Sequence, residues 1–262
     1  MKKIFLLLGI ALGLFLFLNF KKKDCKPWTK SKLLFADDGT GNWREKWMLD
    51  GEKSTVINSK DGMELIAGPE HGNDSCHTVL WTQQRFKGNI CIEYEYTKTD
   101  TTTRCVNILY FHSTGKGSPA YPTDISLWNH KRTVPYMKTY FNYMHTYHIS
   151  YAAFSANQYS GDQDYIRLRR YNPTNMGLQN TDVPGDHFNT GLFKVGVPYH
   201  IQVFKYKHQI EMHIQNQQNL ADQKICKWDV SAFDDCTSGR VGLRHMYTRN
   251  ARYKNFKIWQ LE

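Results

Sequence analysis

Residues 147–151, YHISY, and residues 165–171, YIRLRRY, decide how this chain is read. In the first, Tyr147, Ile149 and Tyr151 alternate with His148 and Ser150; in the second, Ile166 and Leu168 alternate with Arg167 and Arg169. Successive side chains of a strand point to opposite faces, so this period of two buries one set and turns the other outward. If the two strands pair through the polar connection FSANQYSGDQD, His148 comes to lie near both arginines on one sheet face.

Working outward, the same pattern recurs. In GNICIEYEYT, Ile92, Tyr94 and Tyr96 alternate with Cys91, Glu93 and Glu95, and RCVNILYFHS follows after a Thr-rich turn, so an antiparallel hairpin is expected there. PYHIQVFKYKHQIEMHIQN and RYKNFKIWQ read as further strands, and no stretch beyond the N-terminal segment holds a helical period for more than two turns. Aromatic residues make up 14% of the chain, which suits half-buried strands better than helices. The expected class is all-β: a two-sheet antiparallel sandwich with apolar inner faces and alternating polar outer faces. A single domain over residues 35–262 is consistent with the length.

Residues 1–23 combine an apolar run, Ile4 to Phe20, with flanking lysines and read as an export signal or a signal-anchor; residues 24–34 read as a linker. The protein is therefore expected outside the cytoplasm, in the periplasm or anchored to the membrane and facing the periplasm or the cell exterior. With the five lysines of residues 1–23 set aside, the formal net charge of +10 falls to +5. So modest a charge argues against a nucleic-acid partner but leaves room for a local cationic cleft. The six cysteines have no metal-knuckle spacing and read as buried thiols or a structural disulfide. In FADDGTGNW, Asp37 and Asp38 beside two glycines read as a turn, because the full ligand spacing of a calcium loop is missing. No metal and no cofactor are expected.

The chemistry starts from what is scarce. Residues 105–161 hold one acid, Asp124, against four histidines and eight tyrosines, and no Glu-x-Asp-x-x-Glu pattern occurs. Glycosidases of retaining type need two carboxylates about 5–5.5 Å apart, so acid-pair hydrolysis is disfavoured; Glu93 and Glu95 read as a solvated strand face. An acidic sugar changes the requirement. Removing the C5 proton of a uronate and expelling the C4 substituent needs a neutralised carboxylate and a His or Tyr acid–base pair. His148, His245 and Tyr247 are the acid–base candidates. Arg167, Arg169 and Arg249, with the amide of Asn107, are candidates to hold the carboxylate, and Trp81 is either a stacking platform for a sugar ring or a packed core residue. The terminal stretch GRVGLRHMYTRNARYKNFKIWQLE adds Arg240, Arg244 and Arg252 among core-type residues, either as a solvated cationic face or as part of an anion site.

The stretches YHISYAAF, DYIRLRRYNP, GLFKVGVPYHIQV and above all GLRHMYTRNARYKNFKIW, with a looser match through VLWTQQRFKGNICIEYEYT, resemble an uncharacterised bacterial family of the concanavalin A-like lectin/glucanase superfamily. Its members occur beside genes for the breakdown of pectin-type and other acidic polysaccharides. The resemblance implies a jelly roll with a concave carbohydrate-binding face, and it implies no reaction type. The expectation is an acidic oligo- or polysaccharide ligand, cleaved by lyase-type β-elimination. The alternatives are a non-catalytic lectin-like module and, third, a glycoside hydrolase with an unusual acid pair.

Overall fold

A computed structural model of the chain describes residues 28–154, 164–174 and 176–262. The export segment 1–23 and the start of the expected linker lie outside the described residues, as does most of the connection between the two opening strands.

Sixteen strands alternate along the described chain: β1 (Lys30–Asp37), β2 (Trp47–Asp50), β3 (Thr55–Ser59), β4 (Gly62–Ile66), β5 (Thr78–Thr82), β6 (Phe86–Lys87), β7 (Ile90–Lys98), β8 (Cys105–Gly115), β9 (Met144–Phe154), β10 (Asp164–Tyr171), β11 (His187–Phe188), β12 (Pro198–Tyr206), β13 (Gln209–Asn216), β14 (Gln223–Asp229), β15 (Ser238–His245) and β16 (Asn250–Leu261). The first strand begins at Lys30, inside the segment expected to be linker. They form two antiparallel sheets. The back sheet runs β14-β13-β12-β7-β16-β4-β3, with β1 also on β16; the front sheet runs β11-β10-β9-β8-β15-β5-β2, with β6 also on β15.

The expected alternation positions the core. Tyr147, Ile149, Tyr151, Ile166 and Leu168 point between the sheets, where they meet Ile92, Tyr94, Tyr96, Ile201 and Ile258 of the back sheet. Burying a large apolar side chain contributes about 1.5–3 kcal/mol, so this layer holds the two sheets together. Strand β9 departs from strict alternation at Ala152, whose φ of 43° marks an irregularity: Ala152 joins the inner core and Ala153 the outer one.

The expected hairpin between residues 88–97 and 104–113 does not form. Strand β7 pairs with β12 and β16 of the back sheet, whereas β8 pairs with β9 and β15 of the front sheet. The Thr-rich connection crosses from one sheet to the other. The reason lies in β8 itself: Val106, Ile108 and Tyr110 on one face are as buried as Leu109 and Phe111 on the other. A strand with two apolar faces needs a cover on its outer side.

Residues 116–143, between β8 and β9, supply that cover with a 3-10 segment, Ile125–Arg132, and a short helix, α1 (Met137–Tyr143). Ile125, Trp128, Tyr140 and Met144 pack on Val79, Trp81, Ile108 and Tyr110 to make a second apolar core outside the front sheet. Gly242 makes room for it, because a Cβ there would meet the Trp81 ring at 2.5 Å. At its centre Asp50, 1% exposed, accepts hydrogen bonds from Trp81 Nε1 (2.7 Å), Arg132 Nε (2.6 Å), Tyr140 Oη (2.9 Å) and Asn129 Nδ2 (2.6 Å). The cover leaves the outward Arg167 and Arg169 of β10 part-exposed, whereas His148 and Ser150 of β9 are buried.

The Asp37–Asp38 stretch is a turn. Asp37 accepts from Gly39 N and Trp47 Nε1, and Asp38 accepts from the backbone and hydroxyl of Thr40. Cys76, Cys105, Cys226 and Cys236 are buried thiols, and Cys91 is buried as well.

Candidate functional site

Antiparallel register lays two rows of side chains across the outer face of the front sheet. One row runs Arg169, His148, Tyr110, Gly242, Trp81; the other runs Arg167, Ser150, Ile108, Arg244, Val79. Exposure falls along the second row: the Arg167 side chain is 28% exposed, Ser150 is 4% and Arg244 is 0%. The site is thus open at the β10 edge and closed under the cover.

His148 sits where the rows narrow. One ring nitrogen, Nδ1, shares a short hydrogen bond with the Tyr171 hydroxyl, and Nε2 shares one of 2.8 Å with Ser150 Oγ. Burial, reinforced by the charges of Arg169, Arg244 and Arg167, holds the imidazole well below its usual pKa. It is therefore neutral at pH 7, donating from one nitrogen and accepting at the other. Burial likewise keeps Tyr171 and Tyr110 protonated, with the Tyr110 phenol pushed up to about 12.

The two arginines at the open edge are held by a loop before and including β11. Arg167 donates to Asp186 from Nε (2.7 Å) and Nη2 (2.5 Å), and Arg169 donates to Asp182 (2.9 Å) and to Thr181 Oγ1 (3.2 Å). Such part-exposed pairs are worth roughly 0–1 kcal/mol, so a ligand carboxylate can replace either aspartate at little cost.

Three expected site residues do not join this group, because they face the inside of the molecule. His245 follows Val241 and Leu243 on the inner face; it is 0% exposed and bonded to Tyr253 Oη (2.8 Å) and to the Arg249 carbonyl (3.1 Å). Burial and the adjacent Arg249 bring its pKa down to about 3. Asn107 also points inward and donates to Tyr96 Oη at 2.7 Å. Arg249 is a buried brace, tied to Asp100 (3.2 Å) and to the carbonyls of Arg104 and Cys105. Two further residues face outward but stand apart from His148. Trp81 lies beneath the cover, stacked on Tyr110 at 5.4 Å, and has no surface for a sugar. Tyr247, half-buried, stacks on His77 at 4.9 Å; burial and the Cys105 thiol raise its phenol to about 12.

The structure adds Tyr171, Tyr110 and Arg244 to the outward group that the alternation already gave His148 and Ser150. Their signal was present in the sequence: counting by two from Leu109 and Leu243, both inward, turns Tyr110 and Arg244 outward.

These groups limit the chemistry. Ser150 and His148 have the spacing of a nucleophile and its base, but no carboxylate orients the imidazole and three arginines oppose the positive charge it would acquire, so a serine nucleophile is disfavoured. The rows themselves hold no carboxylate and so supply no acid pair for hydrolysis. What the rows offer an incoming ligand is cationic and hydrogen-bond-donating.

The family described as "Domain of unknown function (DUF1961)" matches residues 38–258. The chain belongs to the DUF1961 family. No curated protein matches it in sequence. In three dimensions this DUF1961 chain is similar to a Bacillus subtilis protein of unknown function with a galectin-like fold (17% identity, 89% of this chain and 98% of that one, TM-score 0.65). It is also similar to the carbohydrate recognition domain of Emp47p (13% identity, 87% and 97%, TM-score 0.56) and to lectin I-B4 of Griffonia simplicifolia (7% identity, 88% and 100%, TM-score 0.56). These likenesses show the fold, a lectin-type β-sandwich.

Proposed function

We propose that this domain binds an acidic oligosaccharide across the open end of the front sheet and cleaves it by β-elimination, outside the cytoplasm. The observation that carries the reading is a neutral, buried His148 set among three arginines, on the outer face of a sandwich shared with lectins. A carboxylate arriving among Arg167, Arg169 and Arg244 offsets the charge that keeps His148 from binding a proton. Ligand binding therefore raises the basicity of the imidazole when the C5–H bond lies beside it. The imidazole takes the C5 proton, the C4–C5 double bond forms as the C4–O bond breaks, and the imidazolium returns that proton to the departing oxygen.

The test is incubation with a panel of uronate-containing glycans, following ultraviolet absorbance of the unsaturated product. His148→Ala should lose about 10²–10⁴-fold in rate and keep most of its glycan affinity, because a proton-transfer group contributes to the transition state more than to ground-state binding. A second reading, binding without turnover, is favoured by the fact that both ring nitrogens of His148 are already hydrogen-bonded. Glycan binding by wild type with no product from any member of the panel would select it.

A further inference from the structure

Arg244 is fully buried and forms no ion pair with any of the described residues. One nitrogen, Nη2, donates to the Pro135 carbonyl (2.6 Å) and to His77 Nδ1 (2.9 Å), and both acceptors are neutral, since burial and Arg244 itself bring His77 down to about 3. The nearby acids are committed elsewhere. Asp50 pairs with Arg132, and Asp74 lies 3.5 Å from the His77 ring, without an ion pair to Arg244.

Its remaining donors have no charged acceptor among the described residues. No hydrogen bond of good geometry reaches Arg244 Nε, Arg244 Nη1, His77 Nε2 or the Tyr110 hydroxyl, although that hydroxyl lies close enough to Arg244 and Tyr171 to interact with both. Because His77 Nδ1 accepts from Arg244, the single proton of the neutral ring resides on Nε2, which makes that orphan a donor too. Three buried donor nitrogens thus lack a well-placed acceptor around one positive charge, and the Tyr110 hydroxyl beside Arg244 is neutral and brings no counter-charge. A water molecule can supply an acceptor, but only an anion supplies acceptors and the missing charge together.

We infer that Arg244 anchors the ligand's oxyanion, which on the reading proposed above is a uronate carboxylate reaching in from the open end of its row past Ser150. Arg167 and Arg169, already paired with aspartates, then steer and orient the sugar, whereas Arg244 holds its charge.

The experiment uses D-galacturonate, D-galactose and sulfate as probes, with calorimetric affinity and melting temperature measured for wild type, Arg244→Met and Arg244→Lys. Galacturonate should raise the wild-type melting temperature where galactose does not. Removing an uncompensated buried charge should raise the melting temperature of ligand-free Arg244→Met while its galacturonate affinity falls about tenfold or more. Arg244→Lys, which keeps a charge but loses the fork, should also bind more weakly. Galacturonate bound equally well by the Met variant overturns the anchor and leaves the glycan reading standing. A sulfate shift that depends on Arg244, with none from galacturonate, keeps the anchor and sinks the uronate reading. A Met variant that is less stable than wild type or fails to fold, or a wild type that responds to neither anion, assigns Arg244 to the fold and ends the proposal.

Discussion

Arg132 and Arg244 are both fully buried on the outer side of the front sheet, yet they stand in opposite situations. Arg132 meets Asp50 at 2.6 Å and two backbone carbonyls, and it lies over the Trp128 ring at 4.2 Å. Arg244 lies over the Tyr140 ring at 4.5 Å with two nitrogens unpartnered and no carboxylate. Other buried arginines have carboxylate partners: Arg249 has Asp100, although its Nη2 is unpartnered, and Arg240 has Asp124. Arg170 has no carboxylate but donates to two carbonyls. The cover satisfies its charges from within and serves the fold; the row beneath it leaves Arg244 without a carboxylate among the described residues.

The largest effect expected from this contrast is on acid stability. His77 and His148 flank Arg244, and His112 and His245 lie elsewhere in the buried layers; all four are held neutral by burial, His112 at about 4. Their folded pKa values lie below the unfolded value of about 6.5, so below that pH the unfolded chain binds more protons. Stability is then fully present above about pH 6.5 and is lost as pH falls toward 4, by about 1.4 kcal/mol per pH unit for each histidine. Denaturant melts between pH 7 and 5 should show the unfolding reaction taking up roughly four protons or more at the lower pH, since His145 and His187 are lowered as well. Saturating galacturonate should reduce that uptake through His77 and His148 alone. An uptake near zero would mean that the imidazoles are not held neutral, and an uptake unchanged by ligand would separate the histidines from the anion.

The next effect attacks the covered side. Asp50→Asn leaves Arg132 buried without its counter-charge and weakens the acceptor for Trp81, Tyr140 and Asn129. Breaking one partner of a buried pair typically costs about 3–5 kcal/mol, read as a lower denaturant midpoint. Set beside a stabilised Arg244→Met, this loss would show that two buried arginines on one face carry opposite signs of contribution. Little change on Asp50→Asn would erase the distinction.

Much of this architecture was legible in the sequence, because one physical rule, alternation, governs most strands. The inward Tyr147, Ile149, Ile166 and Leu168 and the outward His148, Arg167 and Arg169 lie on the faces that rule assigns. The same rule places His245 inward, two residues beyond Leu243, but the attraction of a His–Arg cluster in GLRHMYTR obscured it. Other features depend on contacts that a linear pattern does not encode. Which sheet receives β8 is decided by burial of both its faces under residues 116–143, and that same cover changes Trp81 from a candidate sugar platform into a packed indole whose N–H belongs to Asp50. The missing counter-ion of Arg244 is visible only when every neighbour is in place.

The smallest effect concerns the open edge. Arg167→Lys should leave the unfolding free energy within about 1 kcal/mol of wild type, since the pair with Asp186 is part-exposed, at 28% and 24%. Its influence belongs to the ligand. Arg167 presents Nε and Nη2 together to one carboxylate oxygen of Asp186, and a lysine ammonium cannot reproduce that fork. Exchange of Asp186 for a uronate should therefore be weakened by Arg167→Lys and weakened further by Arg167→Gln, with Arg244 intact in both. The carboxyl-reduced, neutral glycan should bind poorly to wild type and respond to neither substitution. Added salt should weaken the acidic ligand at this edge, where solvent screens the charges, and should leave the buried Arg244 contribution less affected. Equal wild-type affinity for the acidic and the neutral glycan would mean that Arg167 and Arg169 serve only to pin the 181–186 loop, and the open edge would then resemble the cover, with its charges satisfied from within.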